Sequence, residues 1–168
     1  FGQGDEGNPS AVTFHEQRLV LGGSAGAPQT IHGSQIGDYE NFAPDEQSSG
    51  SADTEPPYDT EVYERVVSDA AAYQFTLQSE DLNIINWLRS MRVMLAGTLG
   101  GVFSVMASAL GESITPTSVN AMRATQVGVA STTPIVLGTF LTFVEASGAV
   151  LAQAEWRPET ESLDTQDL

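Results

Sequence analysis

The sequence predicts a mainly β protein, a partial β-sandwich with two short helices and a long N-terminal arm. Three observations carry this. Residues 93–110, VMLAGTLGGVFSVMASAL, and 127–144, VGVASTTPIVLGTFLTFV, each run 18 residues without a charge, and glycine or proline interrupts both. Ser147-Gly148 stands between two apolar runs, as a hairpin turn does. Residues 33–58, GSQIGDYENFAPDEQSSGSADTEPPY, are too polar and too rich in Gly, Pro and Ser to bury a core of their own.

Taken in order, AVTFHEQRLVL (11–21) has enough β-branched and apolar residues for one strand within the acidic arm, residues 1–58. The following QTIHGSQIGD (29–38) reads as loop. Residues 58–73, YDTEVYERVVSDAAAY, predict a short helix near 59–72: Asp59 or Thr60 caps it, and Val62, Val66 and Ala70 recur at helical spacing. FTLQ (75–78) reads as a strand. Near 80–91 a second short helix is expected, with Ser79 as cap and Leu82, Ile85 and Leu88 on one face. RVMLAGTLGGVFSVMAS (92–108) then gives two strands around a glycine step. On the second arm of the 135–156 hairpin, Ala152 and Ala154 alternate with Gln153 and Glu155, a period of two. Residues 59–156 thus form the β-rich core, and 157–168 a polar C-terminal tail.

At 168 residues the chain is long enough for one domain with a core. Its formal net charge is −16, and all six basic residues are Arg. The charge is zoned: residues 1–81 carry −13, residues 82–154 carry +1 and residues 155–168 carry −4. A balance this acidic argues against direct contact with nucleic acid, which needs a basic stripe, and against an anionic membrane surface. No basic stretch followed by an apolar run opens the chain, so no signal peptide is read there.

No constellation for chemistry emerges, so no catalytic, cofactor-binding or metal-binding residue is nominated and no cofactor is expected. Ser24 sits in a Gly-x-Ser-x-Gly, but a nucleophile elbow needs a helix next, and Ala27-Pro28 and a loop follow instead. His15-Glu16 begins the H-E-x-x-H pattern of zinc enzymes, but position 19 is Leu. With no Cys and two His, a zinc site has too few ligands. What remains is a set of interface candidates: Ile36, Tyr39 and Phe42 in the arm, and Trp87, Arg89 and Arg92 near the start of the core.

Residues 81–105, DLNIINWLRSMRVMLAGTLGGVFSV, resemble the lead-in to the central strands of picorna-like virus capsid proteins. Trp87 and Leu88, the strand around Val93 and Leu95, and the Gly97-Thr98 step fill the corresponding places. The opening Phe1 and the long arm also look like those of a subunit released from a polyprotein. The chain departs from that pattern in having Ala96 where an Arg usually precedes the glycine, and in lacking an aromatic-rich closing strand. The resemblance implies a jelly-roll-like fold and a structural role: a capsid or minor capsid subunit in a virion, contacting other copies or sister capsid proteins in a large oligomer. Two other readings stand beside it. One is a small acidic binding module, secreted or on a cell surface. The other is a membrane-embedded helical protein using 93–110 and 127–144, which are long enough to span a bilayer, although no aromatic belt with basic flanks brackets either one.

Overall fold

The computed structural model describes residues 7–43, 67–79, 82–109, 111–157 and 162–168. Among them the chain forms twelve strands and no helix. They are β1 (Ala11–His15), β2 (Arg18–Gly22), β3 (Thr30–Gly33), β4 (Tyr73–Thr76), β5 (Ile85–Ser90), β6 (Met94–Thr98), β7 (Gly101–Ala107), β8 (Val119–Thr125), β9 (Ile135–Leu137), β10 (Phe140–Val144), β11 (Leu151–Arg157) and β12 (Ser162–Asp167). They make three antiparallel sheets, each a meander of four consecutive strands: β1-β2-β3-β4, β5-β6-β7-β8 and β9-β10-β11-β12.

The sheets stack in three layers, with β5–β8 in the middle. One core lies between the first and middle sheets, where Ala11, Val20, Ile31 and Tyr73 meet Ile85, Leu88, Met94, Ala96, Phe103 and Val105. A second core lies between the middle and third sheets, where Trp87, Leu95, Val102 and Ala124 meet Leu141, Phe143, Ala152, Ala154 and Leu163. This arrangement explains the first uncharged run. Strands covered on one face alternate apolar and polar residues, whereas strands covered on both faces are apolar throughout. Every residue of β6 is buried, and all of β7 except Met106.

The β reading of 93–110 and 127–144 therefore holds, and among the described residues no helix is long and apolar enough to cross a membrane. The Ser147-Gly148 turn is present, with Gly148 at φ 73° and its N–H donating to the Glu145 carbonyl. Ala152 and Ala154 face the core, and Gln153 and Glu155 face outward.

Other expectations are corrected. Of helix 80–91, residues 80 and 81 lie outside the described residues, 82–84 have no regular structure and 85–90 are β5. The helical spacing of Ile85 and Leu88 has another cause: a β-bulge between Ile85 and Trp87 inserts Asn86 without a partner on β6. Two residues three apart then face the same core while Trp87 faces the other. Asn86 uses its freedom to donate a 2.8 Å hydrogen bond to the Val129 carbonyl. Of helix 59–72, residues 59–66 lie outside the described residues, and 67–72 form a turn leading into β4. The strand read at 75–78 begins earlier, at Tyr73.

The arm is corrected as well. Residues 11–22 form a hairpin, not one strand, and 30–33 form β3, not loop. The hairpin turns on Glu16 and Gln17, both left-handed (φ 47° and 59°), the conformation a two-residue hairpin needs. Neither residue favours it. The Gln17 carbonyl accepts from Gly37 N–H at 3.0 Å, and the Glu16 carboxylate accepts from Ile114 N–H at 2.7 Å, which fixes the turn from two sides. Because β4 pairs with β3, the first sheet joins the expected arm to the expected core; residues 44–58 lie outside the described residues. The C-terminal segment is polar but is not a loose tail, since β12 pairs with β11 over six residues. Sandwich layering is present, yet among the described residues consecutive strands pair within each sheet, without the Greek-key crossings of a jelly roll.

Candidate interaction surface

With β6 and β7 of the middle sheet enclosed, the outer faces of the first and third sheets meet solvent. On the first sheet, alternation sends Ala11, Thr13 and His15 inward and Val12 and Phe14 outward. Register sets Val12 opposite Leu21 and Phe14 opposite Leu19. Val12 is 60% exposed and Phe14 is 59% exposed. Next to them, β3 and β4 present His32, Gln74 and Thr76, with Thr30 buried beside Thr76, so the face divides into an apolar half and a polar half. Tyr39 closes the apolar half: its ring meets that of Phe14 edge to face, 5.2 Å between centroids.

Of the interface candidates, Ile36 and Tyr39 are exposed, and the structure brings Tyr39 to this patch. Phe42 and Arg89 are half-buried, and Arg92 is exposed. Trp87 is no surface anchor. It is 3% exposed, tilted against Phe143 at 6.2 Å, and its ring lies over Gly97. Sequence reasoning missed Val12, Phe14, Leu19 and Leu21. Their spacing of two was legible, but a strand with apolar residues on both faces does not say which face is covered.

The loop bearing Ile36 and Tyr39 is fixed by Arg18, which is 1% exposed. Its guanidinium donates to the carbonyls of Ser34 (2.6 Å), Ala71 (2.7 Å), Ala70 (3.3 Å) and Asp69 (2.6 Å), and lies 5.5 Å from the Tyr73 ring centroid. Burial pushes this guanidinium down from its ordinary pKa, opposed by Tyr73 and Glu16. Burial raises the Tyr73 hydroxyl, and the neighbouring Arg18 charge opposes the rise. Four carbonyls of two separate segments thus converge on one cation.

A second polar group sits at the end of β1. His15 Nδ1 and Ser90 Oγ are 2.8 Å apart, and His15 Nε2 is 4.0 Å from Glu16 Oε1. The order serine, histidine, carboxylate resembles a catalytic relay. However, 4.0 Å is beyond a hydrogen bond, and the other Glu16 oxygen is taken by Ile114 N–H. The carboxylate orients the hairpin turn rather than the imidazole. Ser24 is buried at 2% exposure, with its hydroxyl 3.5 Å from the Ala27 carbonyl and a turn, not a helix, after it. Among the described residues no three His, Asp or Glu gather as a metal site.

Burial lowers the His15 pKa from its ordinary value, with Glu16 opposing. In the unfolded chain His15 protonates near pH 6.5. Below that pH the unfolded state binds a proton that the folded state resists. Stability from this group is therefore complete above about pH 6.5 and falls as pH drops through the depressed folded pKa. The slope contributed by one proton is at most about 1.4 kcal/mol per pH unit. Urea unfolding of wild type and His15→Gln between pH 5 and 7 isolates it: the wild type loses stability more steeply below pH 6.5, and the two curves run parallel above.

On the third sheet, Phe140, Gln153, Glu155, Arg157, Asp164 and Gln166 line a shallow depression of about 120 Å³. Arg157 and Asp164 pair across it at 2.6 Å, both more than half exposed. A ligand pocket is commonly about 300–1,000 Å³, so this depression is a surface feature. Compared with known protein families and with curated proteins, the chain matches none significantly.

Proposed function

We propose that this protein is a structural subunit of a virion shell, a capsid or minor capsid protein, acting through protein–protein contacts. The observation that carries this reading is the apolar half-face of the first sheet. Exposed Val12, Phe14 and Tyr39, with half-buried Leu19 and Leu21 opposite the first two, form an apolar patch on the outer side of the sheet, away from the core. Contiguous exposed apolar surface marks a place where another macromolecule sits. The resemblance of residues 81–105 to capsid proteins supplies the kind of assembly. The net charge of −16 disfavours nucleic acid as the direct partner and leaves sister proteins.

Sedimentation velocity and electron microscopy of the full chain, alone and with extracts of assembled particles, test this. The wild type is expected to enter large particles. Phe14→Asp is expected to weaken its incorporation about 30-fold or more, as removal of a central apolar anchor does. Gln74→Asp, on the polar half of the same face, is expected to leave it unchanged. A wild type that stays monomeric and out of particles overturns the reading.

A further inference from the structure

We infer that the β9 edge of the third sheet is a self-association site, where a second copy of this chain adds its own β9 antiparallel across a two-fold axis. The inference deepens the shell-subunit reading and rests on it for contact between copies; the site itself follows from charge and geometry.

A chain of net charge −16 repels its copies, so two can touch only where charge is absent. Residues 124–144 carry no charge, and β9 lies within them. Among the described residues the other sheet edges differ. β1 lies against β5, with His15 on Ser90 and Ser10 Oγ bonded to the Ile85 carbonyl. β12 carries Asp164 and Asp167, and β8 carries Arg123, charges of the kind that guard edges against pairing. β4 turns Gln74 and Thr76 outward. Only β9 combines an uncharged edge with large apolar side chains in solvent: Ile135 is 61% exposed and Leu137 is 59% exposed.

Register completes the fit. Val136 faces the core, so Ile135 and Leu137 share the outer face. Antiparallel pairing centred on Val136 sets Ile135 of each copy opposite Leu137 of the other, an isologous contact. Phe140, opposite Leu137 on β10, backs this row. Two four-stranded sheets become one of eight strands. Strands lie about 4.8 Å apart, so Glu155 on β11 ends about 24 Å from its copy, and Glu145 beside β10 at least about 14 Å from its own. Both distances exceed the screening length of about 8 Å at physiological salt. Pro134, which lacks an N–H, confines the added pairing to a short stretch, so the contact is reversible and rests on the side chains.

Sedimentation equilibrium of the full chain at 0.1 and 1 M NaCl tests this. Wild-type self-association is expected to strengthen with salt, because salt screens the repulsion and leaves the apolar contact intact. Leu137→Asp and Ile135→Glu are each expected to weaken it about tenfold or more, at unchanged far-UV circular dichroism, since both positions are exposed. Glu155→Gln is expected to leave it unchanged or slightly stronger. Association unaltered in both edge variants, or abolished by salt, overturns the inference. Particles that persist with Leu137→Asp overturn the β9 contact and leave the shell reading intact. Leu137-dependent dimers without any particle do the reverse.

Discussion

Arg18→Met is expected to lower folding stability by about 3–5 kcal/mol, the scale on which loss of one partner from a buried charged network acts. Methionine fills much of the volume, so the effect isolates the guanidinium. Its removal strands three carbonyls, Ser34 on one segment and Asp69 and Ala71 on the other, while that of Ala70 keeps its second donor, the Ile36 N–H at 3.0 Å. Each buried polar group left unpaired costs about 1–3 kcal/mol, and some of these carbonyls recover water by local movement. A domain this size has only about 5–15 kcal/mol in total, so the variant is expected near its unfolding midpoint in modest denaturant. Urea unfolding followed by tryptophan fluorescence measures it. Arg18→Lys is expected to recover part of the loss, because an ammonium retains the charge but not the planar fork that reaches carbonyls on two segments. Equal stability of wild type and Arg18→Met would show that the network contributes nothing net.

The same residue shows where sequence reading runs out. Arg18 stands in RLVL beside apolar residues, and an Arg at a strand end is ordinarily solvated. Its burial follows from partners 16 to 53 residues away, which no local pattern encodes. The hairpin turn was hidden for a related reason. Glu16-Gln17 lacks the Asn-Gly or Asp-Gly signal, and the turn is held by Gly37 and Ile114. The bulge at Asn86 imitated a helix, because an inserted residue converts a period of two into a spacing of three.

Other features were legible because the physics is local. An uncharged run too rich in glycine for a membrane helix became two strands covered on both faces. The 146–149 turn followed from Ser147-Gly148, and the inward alanines of β11 from alternation. The exposed patch was half legible. Tyr39 and Ile36 stand out as apolar residues in a polar segment, whereas Val12 and Phe14 read only as part of one strand within the arm. Only the stacking of three sheets decides which side of β1 stays uncovered.

Gly97→Ala is the second substitution with a large expected effect, about 3 kcal/mol of destabilisation. Gly97 lies opposite Trp87 across the β5–β6 pair, and the indole covers the glycine. A Cβ there would fall 2.2 Å from Trp87 Cε2, closer than atoms can approach. The ring cannot simply rotate away, because it is 3% exposed and packed against Phe143 in the second core. The added methyl therefore forces the indole out of place or the sheets apart. Gly148 supplies the contrast: its φ is 73° but nothing lies within 4 Å of a Cβ, so Gly148→Ala carries only the backbone cost of about 1–2 kcal/mol. The cause is tested by a double-mutant cycle. Trp87→Leu alone leaves a cavity and is itself destabilising. In the Gly97→Ala background it also removes the clash, so the double variant is expected to be more stable than the sum of the singles by about 1 kcal/mol or more. Thermal and urea unfolding of the four proteins measures this. Strict additivity would mean that the glycine is required for some reason other than the ring above it.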